Sequence, residues 1–95
     1  MIIAICNLDI NVPTAGSLKD KRRVIKSMIT RMQNRFNIAV AEVEHLDSWQ
    51  TAGLGIVTVS NDAAYAHGLL TKVINWIEET RLDCELIDYS IELIN

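Results

Sequence analysis

The sequence contains few of the residues that interrupt or cross-link a fold. One proline, four glycines and two cysteines occur among 95 residues. This composition excludes a collagen-like chain, a linker-rich protein and a small scaffold held together by disulfides. Because 49% of the residues are hydrophobic and 22% are charged, the chain has enough apolar material for a core of its own. We therefore expect a single globular domain spanning residues 1–95.

Long hydrophobic runs are also missing. The opening segment from Met1 to Cys6 carries no basic residue, and its apolar run ends at Asn7. No stretch approaches the roughly 20 apolar residues that cross a bilayer. These absences predict neither a signal peptide nor contact with a membrane. Cys6 and Cys84 lack the spacing of a metal site, so we expect reduced thiols and a cytoplasmic location.

The residue combinations that carry catalysis are absent as well. The sequence has no nucleophile paired with a base, no glycine-rich phosphate loop and no pair of carboxylates in a defined cleft. We expect a protein that is not an enzyme, with no catalytic residue and no small-molecule cofactor.

Alternating and helical periodicities predict six elements in the order β-α-β-β-α-β. The predicted strands span 2–12, 38–45, 54–60 and 84–94, and the predicted helices span 17–36 and 63 to about 82. Pro13 ends the first strand, Ser17 is a typical cap of the first helix, and Asn61-Asp62 caps the second helix. This order predicts an α+β fold, a ferredoxin-like two-layer sandwich. Its four-stranded antiparallel sheet has both helices on one face, with the first and third strands at the centre.

Positive charge is concentrated in one stretch, from Ser17 to Phe36. The stretch holds seven of the nine basic residues and one acid, so its net charge is +6 while the remainder carries −9. Four bases recur at helical spacing on one flank, near a helix N-terminus that favours anions: Lys19, Arg22, Arg23 and Lys26. Lys21 is expected to support them, and Arg31 and Arg35 fall on the other flank. Alternatively, the bases form a solvated face, or pair with the protein's own Glu42 and Glu44.

The segment from Glu42 to Gln50 contains several groups that can ligate metals, and one aromatic residue. Glu44 and His45 fall on opposite faces of the predicted strand. No three of the candidates therefore have a firm ligand spacing, and we expect no metal site among Glu42, Glu44, His45 and Asp47. Trp49 lies in a polar connection, where it either stacks on a base or a partner, or folds back as a lid on the core.

The sheet face opposite the helices is predicted to be mixed in character. Asp9, Asp88 and Glu92 lie there and would repel phosphate, and the central strands contain no aromatic residue on which bases could stack. Any RNA is therefore expected on the helix side. The same face is predicted to carry four apolar residues, which suggests a homodimer through this face or through an edge strand: Ile3, Ile5, Leu86 and Ile94.

Several motifs resemble those of one family. The runs SLKDKRRVIKS, from Ser17, and RFNIAVAEVEHLDSWQTAGLGIVTVSND, from Arg35, resemble the small bacterial YlxP-like proteins, a domain-of-unknown-function family. The resemblance covers nearly the whole chain and implies a ferredoxin-like fold. Genes of that family commonly lie beside those for a transcription-antitermination factor, a translation-initiation factor and ribosome-binding factor A. This neighbourhood implies work on RNA or the ribosome. The resemblance assigns no particular activity and no catalytic residue to this chain.

Two hypotheses about function follow. In the first, a non-enzymatic accessory factor contacts RNA or a ribosomal particle through the basic helix. The expected contact residues are Lys19, Arg22, Arg23 and Lys26, with Lys21 in support and Trp49 as a stacking residue. In the second, the chain is a homodimeric protein–protein interaction module whose basic helix docks on an acidic partner.

Overall fold

The computed structural model describes residues 1–80 and 83–95, which form six elements in the predicted order. These are β1 (Ile2–Asn11), α1 (Leu18–Arg35), β2 (Ala39–Glu44), β3 (Thr51–Ser60), α2 (Ala63–Glu79) and β4 (Glu85–Ile94). β3 begins earlier than the predicted Leu54, because its pairing with β1 continues as far as Asn11 opposite Thr51. The predicted end of the second helix, Leu82, lies outside the described residues.

The four strands form one sheet in the order β2-β3-β1-β4. Every neighbouring pair is antiparallel, and β1 and β3 occupy the centre. The ferredoxin-like prediction, including the positions of the central and edge strands, is confirmed.

The core lies between one face of the sheet and the two helices. On β1 the even-numbered side chains from Ala4 to Ile10 are almost completely buried. Both helices contribute to the same buried cluster, so both cover the same face: Ile25, Met28 and Met32 from α1, and Ala66, Leu70, Val73, Ile74 and Ile77 from α2. Full burial of each large apolar side chain stabilises the fold by about 1.5–3 kcal/mol.

Each helix begins at the side-chain cap that the sequence predicts. The hydroxyl of Ser17 accepts a hydrogen bond from the backbone N–H of Asp20 at 3.1 Å. The carboxylate of Asp62 accepts one from the N–H of Ala64 at 3.3 Å. These bonds satisfy donors that would otherwise lack a partner in the first turn.

A β-bulge in β4 reverses the predicted alternation of its first residues. Asp9 is paired with Asp88, but the next residue of β1, Ile10, is paired with Leu86, so Ile87 is the extra residue. Leu86 therefore faces the helices, opposite the buried Ile10, and packs against the core. The prediction that Leu86 lies on the open face of the sheet is wrong, because one inserted residue exchanges the two faces of a strand.

No helix within the described residues is long and apolar enough to cross a membrane.

Candidate nucleic-acid interface

Four of the predicted contact residues share the exposed side of α1. We call Lys19, Arg22, Arg23 and Lys26 the cationic face. Within residues 1–80 and 83–95, Lys19, Arg22 and Lys26 form no ion pair. Arg23 lies 2.9 Å from a carboxylate oxygen of Asp20 but remains 74% exposed, so water screens this pair strongly. The structure thus brings these four cations together on the surface.

Asp20 organises the start of the cationic face. One carboxylate oxygen accepts a hydrogen bond from the N–H of Gly16 at 3.2 Å, and the other accepts from Arg23. Its own N–H donates to Ser17. An acid in the first turn also interacts favourably with the positive end of the helix dipole. Asp20 therefore joins the loop before α1 to the cations that follow it.

Lys21 does not belong to the exposed surface, which corrects its prediction as an anion-binding residue. Its side chain is completely buried, and its Nζ lies 2.9 Å from Oε2 of Glu42. Nζ also donates to the carbonyl oxygens of His45, at 2.8 Å, and Thr51, at 3.1 Å. A buried ammonium needs such partners because desolvation of an unpaired charge is costly. The suggested pairing of a base with Glu42 is found here, inside the protein.

The partners of Lys21 hold the segment that carries Trp49. His45 and Thr51 stand on either side of residues 46–50, so Nζ of Lys21 joins the two ends of this loop to α1. Gln50 adds a second attachment, because its side-chain amide donates to the carbonyl oxygens of Pro13 and Ala15 at 3.3 and 3.4 Å. The loop is thus fixed beside the start of α1.

The side chain of Trp49 projects from this fixed loop. It is 58% exposed. The alternative in which Trp49 covers the core as a lid is therefore wrong. An exposed indole on a fixed loop has a π-face available for stacking on a base.

A shallow groove extends the cationic face along α1. Its volume is about 520 Å³, and it is lined by Arg22, Arg23, Lys26, Ser27, Thr30 and Arg31. The sequence prediction omitted Ser27 and Thr30 and placed Arg31 on the other flank. The i, i+4 spacing of residues 23, 27 and 31 could have identified this row.

Arg31 is held in the groove by an aromatic pair. Its guanidinium carbon lies 5.8 Å from the centre of the Trp76 ring. Trp76 in turn meets Phe36 edge-on, with 6.0 Å between the ring centroids. A guanidinium over an indole gains a cation–π attraction while its donors stay available to a further partner. Arg31 is therefore pre-positioned beside the cationic face.

The opposite face of the sheet carries three acidic side chains. Asp9 and Asp88 are paired across β1 and β4, and Glu92 lies opposite Ile5. This placement agrees with the sequence prediction. These acids would repel phosphate from this face, so the two sides of the molecule differ in the sign of their charge.

Near Asp9, the geometry of Glu44 and His45 differs from the prediction. A bulge at Val43 shifts the pairing of β2, so that Glu44 is opposite Gly53. His45 then adopts a positive φ of 59°. Ligand atoms of Asp9, Glu44 and His45 consequently lie within 4.8 Å of one another. The prediction that Glu44 and His45 point to opposite faces is wrong, because both the bulge and the left-handed residue interrupt the alternation.

The two thiols lie in environments that suppress their reactivity. Burial raises the pKa of Cys6 to about 11. The pKa of Cys84 is also raised, first by burial and then by the negative charges of Asp83 and Glu85. A thiol with a raised pKa holds little of the reactive thiolate at neutral pH.

Several residues of the motifs quoted above have structural roles. Ser17 and Asp62 cap the helices, Lys21 and Gln50 attach the Trp49 loop, and the Ser60 hydroxyl accepts from the N–H of Asp62 at 3.0 Å. Lys19, Arg22 and Lys26 form no ion pair within the described residues, and Trp49 is 58% exposed.

Comparison with known proteins identifies relatives over most of the chain. The family described as "Protein of unknown function (DUF503)" matches residues 3–91. The uncharacterized protein YlxP of Bacillus subtilis (strain 168) is 41% identical over 64 residues, which cover 67% of this chain and 70% of that protein.

Two solved structures share the fold at low sequence identity. The de novo designed protein Foldit4 has a TM-score of 0.51 and 13% identity, covering 98% of this chain and 97% of its own. A second designed protein, with a ferredoxin fold solved by NMR, has a TM-score of 0.52 and 17% identity, covering 99% and 84% respectively. These similarities concern the fold alone. The family match over residues 3–91 and the identity to YlxP establish that the chain belongs to the DUF503 family of proteins of unknown function.

Proposed function

We propose that this protein is a non-enzymatic, cytoplasmic accessory factor that contacts RNA through the cationic face of α1. One observation carries the proposal: Lys19, Arg22 and Lys26 are exposed on one side of a helix and have no ion-pair partner among the described residues. Cations in this arrangement bind phosphates and release the counterions condensed on a nucleic acid.

The separation of charge supports an oriented contact. The stretch 17–36 carries +6 and the rest of the chain −9. Asp9, Asp88 and Glu92 lie on the sheet face opposite the helices, so a polyanion is attracted to one side and repelled from the other. A polyanion thus meets the helix side of the molecule although the net charge is −3.

Trp49 favours a single-stranded or looped RNA over a regular duplex. In single strands the bases are unstacked and available to aromatic side chains, whereas in an A-form helix they are not. Trp49 is exposed, and its loop is attached beside the start of α1 through Lys21. In the proposed binding mode, the cationic face therefore binds phosphates and Trp49 stacks on a base. The proposal of a ribosomal RNA rests on the gene neighbourhood of the family.

Binding of a labelled single-stranded RNA, followed by fluorescence anisotropy, tests the proposal. Arg22→Glu and Lys26→Glu are each expected to weaken binding by about ten- to hundredfold, the range for losing one charge-assisted contact. Lys72→Glu is the matched control, because Lys72 is an exposed lysine on α2, outside the cationic face. It makes the same change in net charge and is expected to have a much smaller effect.

The competing function is a protein-interaction module whose basic helix docks on an acidic protein. A pull-down from lysate, with and without nuclease treatment, separates the two proposals. Loss of all partners after nuclease supports RNA contact. A protein that stays bound after nuclease, and is released by Arg22→Glu, contradicts it and supports the module.

A further inference from the structure

The outer edge of β4 is the longest regular strand edge in the described part of the chain. β4 is the last strand of the sheet and is paired there only with β1. From Asp88 to Ile94 this pairing continues without a shift. The other edge strand, β2, has six residues and is interrupted by the bulge at Val43. A long regular edge presents unpaired N–H and C=O groups to another strand.

Two hydrogen bonds identify the residues of β4 whose backbone groups point outward. The N–H of Val12 donates to Gln50 on the β3 side, so the even-numbered residues of β1 face β3. The odd-numbered residues, such as Asn7 opposite Ser90, must then face β4. Consistently, the N–H of Tyr89 donates to the side chain of its neighbour Asp88 at 2.8 Å. By alternation, the outward-facing residues are Tyr89, Ile91 and Leu93.

The side chains of these three residues lie on the helix side of the sheet. Tyr89, Ile91 and Leu93 are opposite the buried side chains of Leu8, Cys6 and Ala4, respectively. Tyr89 is nevertheless 48% exposed and Leu93 41% exposed, because β4 is the last strand of the sheet in the described part of the chain. The edge therefore combines outward-facing backbone groups with uncovered apolar side chains.

We propose that β4 pairs antiparallel with β4 of a second copy of this chain, about a two-fold axis at Ile91. Ile91 then lies opposite Ile91 of the second copy, and Tyr89 lies opposite Leu93 in both halves of the interface. Each outward-facing residue exchanges N–H and C=O hydrogen bonds with its opposite residue, and the two sheets become one. Asp88 releases the N–H of Tyr89, and its exposed carboxylate returns to water.

Charge selects this register over its neighbours. With the axis at Ile91, Asp88 is opposite Ile94 and Glu92 is opposite Ser90. An axis at Ser90 would place Asp88 directly opposite Glu92, and an axis at Glu92 would place that carboxylate opposite its own copy. Like charges directly opposite one another destabilise a pair of strands. Of these three registers, the one centred on Ile91 is the one that keeps the carboxylates apart.

The dimer does not depend on the proposed contact with RNA. α1 packs against β2, at the edge of the sheet away from β4. The cationic face stays accessible in the dimer, so failure of one proposal leaves the other intact.

Sedimentation analysis over a concentration series tests the dimer directly. The wild-type chain is expected to sediment as a dimer at high concentration. Tyr89→Lys/Leu93→Lys places lysines opposite each other across the axis and is expected to give a monomer. Val59→Lys is the control, because Val59 is 60% exposed on the open face of the sheet; this variant is expected to remain a dimer. A monomeric wild-type chain, or a monomeric Val59→Lys variant, overturns the proposal.

Cysteine cross-linking tests the register. Opposite residues of a hydrogen-bonded pair have Cα atoms about 5.5 Å apart, which suits a disulfide. Each variant is made in a Cys6→Ala background, because Cys6 lies opposite position 91 within the same chain and could form an intramolecular disulfide. Under mild oxidation, Ile91→Cys is expected to form covalent dimers, whereas Ser90→Cys and Glu92→Cys are not. Circular dichroism confirms that each variant is folded before oxidation. Cross-linking that is strongest at position 90 or 92 overturns the proposed axis.

Discussion

The ammonium group of Lys21 lies 2.9 Å from the carboxylate of Glu42, and the lysine side chain is completely buried. The same ammonium donates to the carbonyl oxygens of His45 and Thr51. Lys21, one base of the most positively charged stretch, is thus an interior residue, and it fixes the loop that carries Trp49. The proposed RNA contact of this stretch and the stability of the fold therefore depend on different cations.

Removing the buried ammonium should destabilise the fold. Lys21→Met leaves the Glu42 carboxylate, only 16% exposed, without its cation, and leaves two carbonyl groups without their donor. The expected loss is about 3–5 kcal/mol, the range for breaking one side of a buried ion pair. Urea unfolding measures it. The control Lys19→Met changes an exposed neighbour and should alter stability by less than about 0.5 kcal/mol. Equal unfolding midpoints for the two variants would show that the buried pair does not stabilise the fold.

Because β2 and β3 approach closely at Gly53, a larger residue at this position should destabilise the fold. A Cβ atom added to Gly53 would lie 2.7 Å from Cβ of Glu44. Gly53→Ala is therefore expected to cost about 1–3 kcal/mol through overpacking. Gly68→Ala is the contrasting variant, because no atom of the described residues lies within 4 Å of the added atom and the site is inside α2. It should stabilise the protein by about 0.4–1 kcal/mol. A Gly53→Ala variant as stable as the wild type would contradict this packing.

Ionisation of the Cys6 thiol should lower the stability of the fold at alkaline pH. Burial raises the pKa of this thiol from its ordinary value of 9.0 to about 11 in the folded protein. Between these values the unfolded chain loses the proton and the folded chain keeps it, so the free energy of unfolding decreases as the pH rises. Below the ordinary value both states are protonated and the effect is absent. Unfolding curves of the wild type and Cys6→Ala isolate this contribution: the wild type should lose more stability between pH 9 and 11. Parallel pH profiles would contradict it.

Trp49 should contribute to RNA affinity and hardly to stability. Stacking on one base is worth about 1–3 kcal/mol, so Trp49→Ala is expected to weaken RNA binding by about five- to hundredfold. Its exposure of 58% predicts little change in the unfolding midpoint. Trp49→Phe keeps an aromatic face and should recover most of the affinity. If Trp49→Ala binds RNA as tightly as the wild type, the indole does not stack on a base.

The fold could be predicted because its determinants are local and repeated. The caps at Ser17 and Asp62 and the periodic apolar residues of each element specify where helices and strands lie. Given the order of the elements, the preference for right-handed crossover connections allows few arrangements of the strands in the sheet. The two bulges could not be predicted in this way. At Val43 and Ile87 no glycine or proline marks the irregularity, and the pairing with the neighbouring strand determines it.

The sequence predicts only part of the candidate site, because a charged side chain is ordinarily expected to be exposed to solvent. Lys21 lies on the buried stripe of α1 with Ile25, Met28 and Met32. The spacing of residues 21, 25, 28 and 32 could have identified it as an interior position, but a lysine is almost never fully buried unless it is paired. Its partners are distant in sequence and become neighbours only in the folded chain. The position of Arg31 beside the cationic face likewise depends on the contact of α1 with Trp76 of α2.

The most direct measurement of the central claim is RNA affinity as a function of salt concentration, for the wild type and Arg22→Glu. Four phosphate contacts to a single strand predict a slope of about −3 in a plot of log affinity against log salt. In Arg22→Glu the slope should become shallower by about 0.7, because one contact is lost. Absence of binding at low salt, or a slope that Arg22→Glu leaves unchanged, would contradict RNA contact through the cationic face of α1.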